Sequence, residues 1–103
     1  MISKQLVDNA DMVAEFLSAI GNGKRLAIMC HLLRGELSVG EIAQRVELSQ
    51  SALSQHLARL RNMDLVETRR ERQMVYYSCS SPHVRRILTT LDDLFGAPAR
   101  SIA

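Results

Sequence analysis

The stretch Ser38–Asn62, SVGEIAQRVELSQSALSQHLARLRN, limits what this chain can fold into more than any other part of it. Its first four residues have the form of a capping box. The Ser38 hydroxyl can accept from the backbone N–H three residues on, and the Glu41 carboxylate can reach back to the N–H of Ser38. This predicts a short helix from Ser38 to about Arg45 that presents Val39, Ile42, Ala43 and Val46 on one side. A tight break at Val46-Glu47-Leu48 then leads to Ser49, a second N-cap residue. From Ser49 to Asn62 the spacing of Leu53, Leu57 and Leu60 predicts another helix with those leucines inward. Two short helices joined by about three residues are the helix-turn-helix pattern.

The outward side of the second helix holds Gln50, Ser51, Ser54, Gln55 and Arg59. These side chains can hydrogen-bond base edges and phosphates, and no acid stands among them. An ordinary solvated helix mixes Glu with Lys. Here two weak helix formers, Ser51 and Ser54, occupy exposed positions, so propensity has been given up where a polar partner would make contact. Charge follows the same pattern. Residues 45–86 hold eight arginines and no lysine against four acids, whereas the flanking segments are each slightly acidic. Arginine's planar fork suits phosphate and guanine edges, although a solvated charged face is the plainer explanation of such a run.

After Asn62 and Asp64, Leu65–Arg70 and Met74–Ser78 alternate as strands around a polar tip, Arg70-Glu71-Arg72-Gln73. A hairpin carrying Arg69, Arg70 and Arg72 directly after a helix-turn-helix is the layout of a winged helix, its wing placed along the phosphate backbone or in the minor groove. Before the pair, Leu6, Ala10, Val13, Leu17 and Ile20 mark a helix stopped by Gly21. A further helix carries Leu26, Met29, Cys30 and Leu33 on one face and ends at Gly35. Last, Ser81 and Pro82 start a helix whose stripe is Val84, Ile87, Leu88, Leu91, Leu94 and Phe95, stopped by Gly96 and Pro98.

The expected fold is therefore mainly α with a two-stranded β-wing, in the order α-α-α-α-β-β-α. It forms one domain over residues 1–103, with the helix-turn-helix at about 38–62 and the wing at about 65–78. The outer helices, about 4–20 and 81–95, each carry an apolar stripe that one small core cannot cover. Pairing with a second copy would bury both stripes and place two recognition helices ~34 Å apart on double-stranded DNA.

Composition narrows the class. At 103 residues, 47% hydrophobic and 23% charged, the chain is a folded domain and not a disordered one. No apolar run reaches the ~20 residues of a membrane span. Acidic residues near the start argue against a signal peptide. Two cysteines make no disulfide framework, so a cytoplasmic, nucleoid-associated location is expected.

With these residues in view, the chain resembles the ArsR/SmtB family of bacterial winged-helix repressors. The resemblance runs from about Ala14 to Gly96 and rests on FLSAIGNGKRLAIMCHLL, LSQSALSQHL, LRNMDLVETRR and the closing LTTLDDLFG. It is strongest to the metal-independent branch. One departure is Gly23, where the family usually has proline. The resemblance implies a homodimeric repressor of operator DNA. Recognition would fall to Gln50, Ser51, Ser54, Gln55 and His56, and phosphate contacts to Arg59 and to Arg69, Arg70 and Arg72 of the wing.

The family's metal sites use thiolates on the first helix of the pair or Asp/His/Glu sets on the last helix. Here Ser38 and Gly40 stand at the first place, and the last helix has only His83 near its start with Asp92 and Asp93 at its far end. No metal and no cofactor are expected. Cys30 resembles one cysteine of the family's persulfide and dithiol sensors, but the partner position lies near Gly96, and Cys79 sits elsewhere. A repressor gated by Cys30 or Cys79 is therefore the alternative reading. The favoured one makes Cys30 a small buried hydrophobe. His56 suits either DNA contact or packing beside Ala52 and Leu60. His31 and Cys30, adjacent on a helix, point about 100° apart and make no catalytic pair, so no enzyme is expected. A protein-interaction module is the lesser alternative.

Overall fold

The computed structural model describes residues 1–97. Nine elements follow in order: α1 (Lys4–Asp8), α2 (Ala10–Ile20), α3 (Gly23–Arg34), β1 (Leu37–Ser38), α4 (Val39–Val46), α5 (Gln50–Asn62), β2 (Glu67–Glu71), β3 (Met74–Ser78) and α6 (Pro82–Phe95). Pro98, read above as a second stop, lies outside the described residues.

Every helix but α2 begins where a side chain satisfies one or more of its free N–H groups. Ser3, Asn22, Ser38, Ser49 and Ser81 cap α1, α3, α4, α5 and α6. The capping box of α4 is complete. Glu41 N–H donates to Ser38 Oγ at 3.2 Å, and Ser38 N–H donates to a Glu41 carboxylate oxygen at 2.9 Å. Those bonds hold the Glu41 carboxyl below its ordinary range, with the Ser38 backbone N–H the largest cause. At the other end of α4 the chain turns through Glu47 in the left-handed region, φ 56°, and Lys24 Nζ donates to the Val46 carbonyl at 2.6 Å.

The helix expected over residues 4–20 is two. Asn9, with φ −97° and ψ 12°, interrupts it, although Asn9 N–H still donates to Gln5 O and Val13 N–H to Asn9 O. Asparagine is a poor interior residue because its side chain competes for backbone groups. The sheet also differs from expectation, having three strands in the order β1-β3-β2, all antiparallel. The two-residue β1 pairs Leu37 with Tyr77 and Ser38 with Tyr76. It is too short to leave a periodic signal. The wing strands pair Glu67 with Ser78 through Glu71 with Met74. Every residue of β2 is exposed, and its outer edge has no strand beside it among the described residues.

One apolar core joins the helices to the root of the sheet. Ile28 and Met29 of α3, Ile42 of α4, Leu53 and Leu60 of α5 and Val84 of α6 are fully buried. Leu57, Leu65, Val66 and Tyr77 close the core around them. The inward face of α3 is therefore Ile28, Met29 and Leu32, which corrects the expected stripe of Leu26, Met29, Cys30 and Leu33. Residues 26–33 are apolar almost all round, so their periodicity alone does not choose the side.

Candidate nucleic-acid interface

Ser49 sets the start of α5 by accepting from Ala52 N–H at 3.2 Å. With Leu53, Leu57 and Leu60 buried, the 3.6-residue period turns Gln50, Ser51, Ser54 and Gln55 to solvent, and all four are exposed. Ser54 Oγ donates to the Gln50 carbonyl at 2.8 Å. Its proton is thus engaged, and its lone pairs are left to accept from an amino group.

Two residues expected at this face lie nearer the body of the protein. His56 is half-buried, with Nδ1 3.3 Å from Nη1 of Arg25. Because arginine only donates, Nδ1 accepts and the ring proton belongs on Nε2. Arg25 also donates to the carbonyls of Ala19 at 2.6 Å and Ser18 at 3.3 Å. Of the two readings of His56, these neighbours support packing. Arg59 is half-buried too, its Nη2 3.4 Å from Ser18 Oγ.

The wing arginines separate in the same way. Arg69 donates through Nε and Nη2 to the Glu36 carboxylate at 2.8–3.0 Å, and through Nη1 to Glu71 at 2.8 Å. Its guanidinium lies 4.5 Å from the centroid of the Tyr76 ring. The hydrogen bonds to Glu36 first, and to Glu71 second, raise its pKa still further above the usual arginine range. Arg70 and Arg72 are exposed and have no ion-pair or hydrogen-bonding side-chain partner among the described residues. Arg72 forms the hairpin tip with φ 57°. Sequence reasoning missed the structural use of Arg61, which donates to the hydroxyl of buried Tyr77 and ties α5 to β3. Nothing in the local pattern marks that bond.

The expected burial of Cys30 is not observed. Cys30 is exposed, whereas Cys79 is buried at 7% exposure. Partial desolvation, and secondly the Asp92 charge, push the Cys30 thiol pKa up. Burial pushes Cys79 up as well, against the lowering influence of the Ser81 N–H and Arg85. Neither environment favours the thiolate. Among the described residues no three His, Cys, Asp or Glu side chains stand together in a metal-holding group.

Between α2, the α5–β2 turn and α6 runs an open groove of about 710 Å³. Its floor is apolar, with Met12, Phe16, Met63, Leu65 and Ile87, and Asp64, His83 and Arg86 stand among the lining residues. Apolar side chains also remain uncovered along the same helices, including Met12 (64% exposed), Leu94 (59%) and Phe95 (52%).

Known proteins share this arrangement. Residues 22–68 match the family described as "Bacterial regulatory protein, arsR family". The nodulation protein NolR of Rhizobium meliloti is 52% identical over 89 residues, covering 86% of this chain and 73% of its own length. The chain belongs to the arsR family. As a member it is a DNA-binding transcriptional regulator and not an enzyme. The crystal structure of NolR from Sinorhizobium fredii has a TM-score of 0.84 and 48% identity, covering 94% of this chain and 97% of that one. The transcriptional activator HlyU of Vibrio cholerae is 48% identical, covering 89% and 85%. A winged helix-turn-helix domain from Mycobacterium bovis, described as homodimeric, has a TM-score of 0.72 at 28% identity, covering 97% of each chain. The expected winged helix-turn-helix fold is thus the observed one, with β1 added to its sheet.

Proposed function

We propose that the protein is a homodimeric repressor that lays α5 of each protomer into the major groove of a near-palindromic operator. The observation that carries this reading is the acid-free, exposed N-terminal face of α5. Gln50 and Ser54 read base edges there, Ser54 as an acceptor from an amino group, and Ser51 and Gln55 line the groove beside them. Arg70 and Arg72 neutralise phosphates, and Arg59 can swing from its long contact with Ser18 to do the same.

The dimer rests on the uncovered apolar faces of α1, α2 and α6, together with the homodimeric state of the mycobacterial relative. A protomer that left Met12, Leu94 and Phe95 in water would lose the stabilisation their burial provides, ~25 cal/mol per Å² of apolar surface covered. Repression needs only occupancy, since a dimer seated on a promoter blocks polymerase without any further contact surface. The protein would act in the cytoplasm, at the nucleoid, without a bound metal or cofactor.

Selection of sites from random duplexes by the reduced, metal-free protein tests the reading. Reselection after oxidant or polysulfide and a promoter–reporter measurement complete the test. A palindrome under both conditions, with reporter output falling when the protein is supplied, is the expected result. Output that rises would make it an activator, as HlyU is named. Loss of the palindrome only after oxidant would transfer the function to a thiol-gated repressor. No enrichment at all would leave a protein-interaction module.

A further inference from the structure

Arg69 carries the same charge as Arg70 and Arg72 but stands in a different environment. Glu36 holds its fork along one edge and Glu71 takes Nη1. Its flat face lies on Tyr76, which is also its cross-strand partner in register. Tyr76 pairs on its other side with Ser38 of β1. The Arg69–Glu36 bridge therefore crosses the sheet over the Tyr76 ring, from the outer wing strand to the link between α3 and β1. As a unit, one guanidinium and two carboxylates carry a net negative charge, which repels phosphate. If Arg69 were to grip DNA, it would leave both carboxylates bare beside the backbone. Alternation along β2 sends Arg70 to the opposite face. Single exposed ion pairs contribute little, but a bidentate fork that also stacks on a ring is a geometric constraint as well as an attraction.

We propose that Arg69 is a positioning residue: it clamps the wing to the body through Glu36 and so holds Arg70 and Arg72 against the phosphates, without touching DNA itself. The proposal rests on the DNA-binding reading above.

A double-mutant cycle separates a clamp from a phosphate contact. Operator affinity and its salt dependence are measured by fluorescence anisotropy for wild type, E36A, R69A, E36A/R69A and R69K, with R70A as the phosphate-contact control. Thermal unfolding of each variant confirms folding. For a clamp, E36A weakens binding on the order of fivefold although it removes a negative charge. R69A then adds little in the E36A background, and R69K, which keeps the charge and loses the fork, does not rescue. The salt slope of E36A stays at the wild-type value, whereas R70A reduces it by about one per protomer. The proposal is overturned if E36A binds as tightly as wild type or tighter. It is equally overturned if R69A lowers the slope as R70A does and costs the same in both backgrounds. Should R69A fail to fold, E36A and R69K decide alone. Absence of operator binding by the wild type would instead remove the DNA reading and this proposal with it.

Discussion

Eight arginines between residues 45 and 86 look alike as a charge run, and their partners divide them. Arg61 and Arg69 are occupied by Tyr77 and Glu36, while Arg70 and Arg72 stand open. Such a division cannot be read locally, because Glu36 lies 33 residues from Arg69 in the chain. The division has consequences for mutants. Gln50→Ala should relax preference at one or two positions of each half-site, at about 1–3 kcal/mol of discrimination per lost bidentate pair. Arg70→Ala or Arg72→Ala should weaken all sequences alike and flatten the salt dependence. Comparison of binding to a panel of single-base operator variants at two salt concentrations checks both. The cysteines allow a second test. Cys30 should react with a thiol reagent in the folded protein and Cys79 only after unfolding. Because both thiols titrate above the ordinary value of 9.0, Cys30 labelling should be slow near neutrality and accelerate as pH rises past that value. Mass-spectrometric counting of labels against pH gives the answer.

At the scale of elements, α4 and α5 were legible because their signals are local and redundant, with caps, leucine spacing and a three-residue break all agreeing. For the same reason α6 and the second wing strand were legible. The first wing strand is instead Glu67–Glu71, exposed throughout, and not the alternating Leu65–Arg70 expected, because Leu65 and Val66 turn into the core. By contrast, β1 is two residues that only a partner strand makes visible, and the inward side of α3 is set by what packs on it. The exposure of Gln50, Ser51, Ser54 and Gln55 followed from α5 periodicity, whereas the turning of His56 toward Arg25 depends on a neighbour 31 positions away. The capping box yields an element-scale prediction. Ser38→Ala should cost about 1 kcal/mol in a urea titration, through loss of the N-terminal bond of α4. Glu41 has a lowered folded-state pKa, so its contribution is present above the unfolded carboxylate range, ~4.3, and is lost as pH falls through the folded value. Glu41→Gln should therefore blunt the stability lost as pH falls below the unfolded carboxylate range, measured by thermal unfolding over a series of acid pH values.

The whole molecule is long for its size, with extents of 49 × 33 × 21 Å and a radius of gyration of 14.9 Å, against about 13 Å for a compact chain of this length. Elongation and uncovered apolar helices belong together, because α1 buries no residue and the far end of α6, with Leu94 and Phe95, reaches past the core. A Leu94→Glu, Phe95→Glu double substitution should shift the protein to monomers in sedimentation velocity. Operator affinity should then fall at least tenfold, since each half-site would be held alone.

The wing has a consequence of another kind. Its outer strand, Glu67–Glu71, is an open ribbon whose N–H and C=O groups could template the same strand of another molecule. A regulator that gathers on one stretch of chromosome brings such ribbons to high local concentration. Four of the five side chains there are charged, and they keep neighbouring copies from zipping together. The charges of both signs along the open strand thus keep the protein dispersed where it is most crowded.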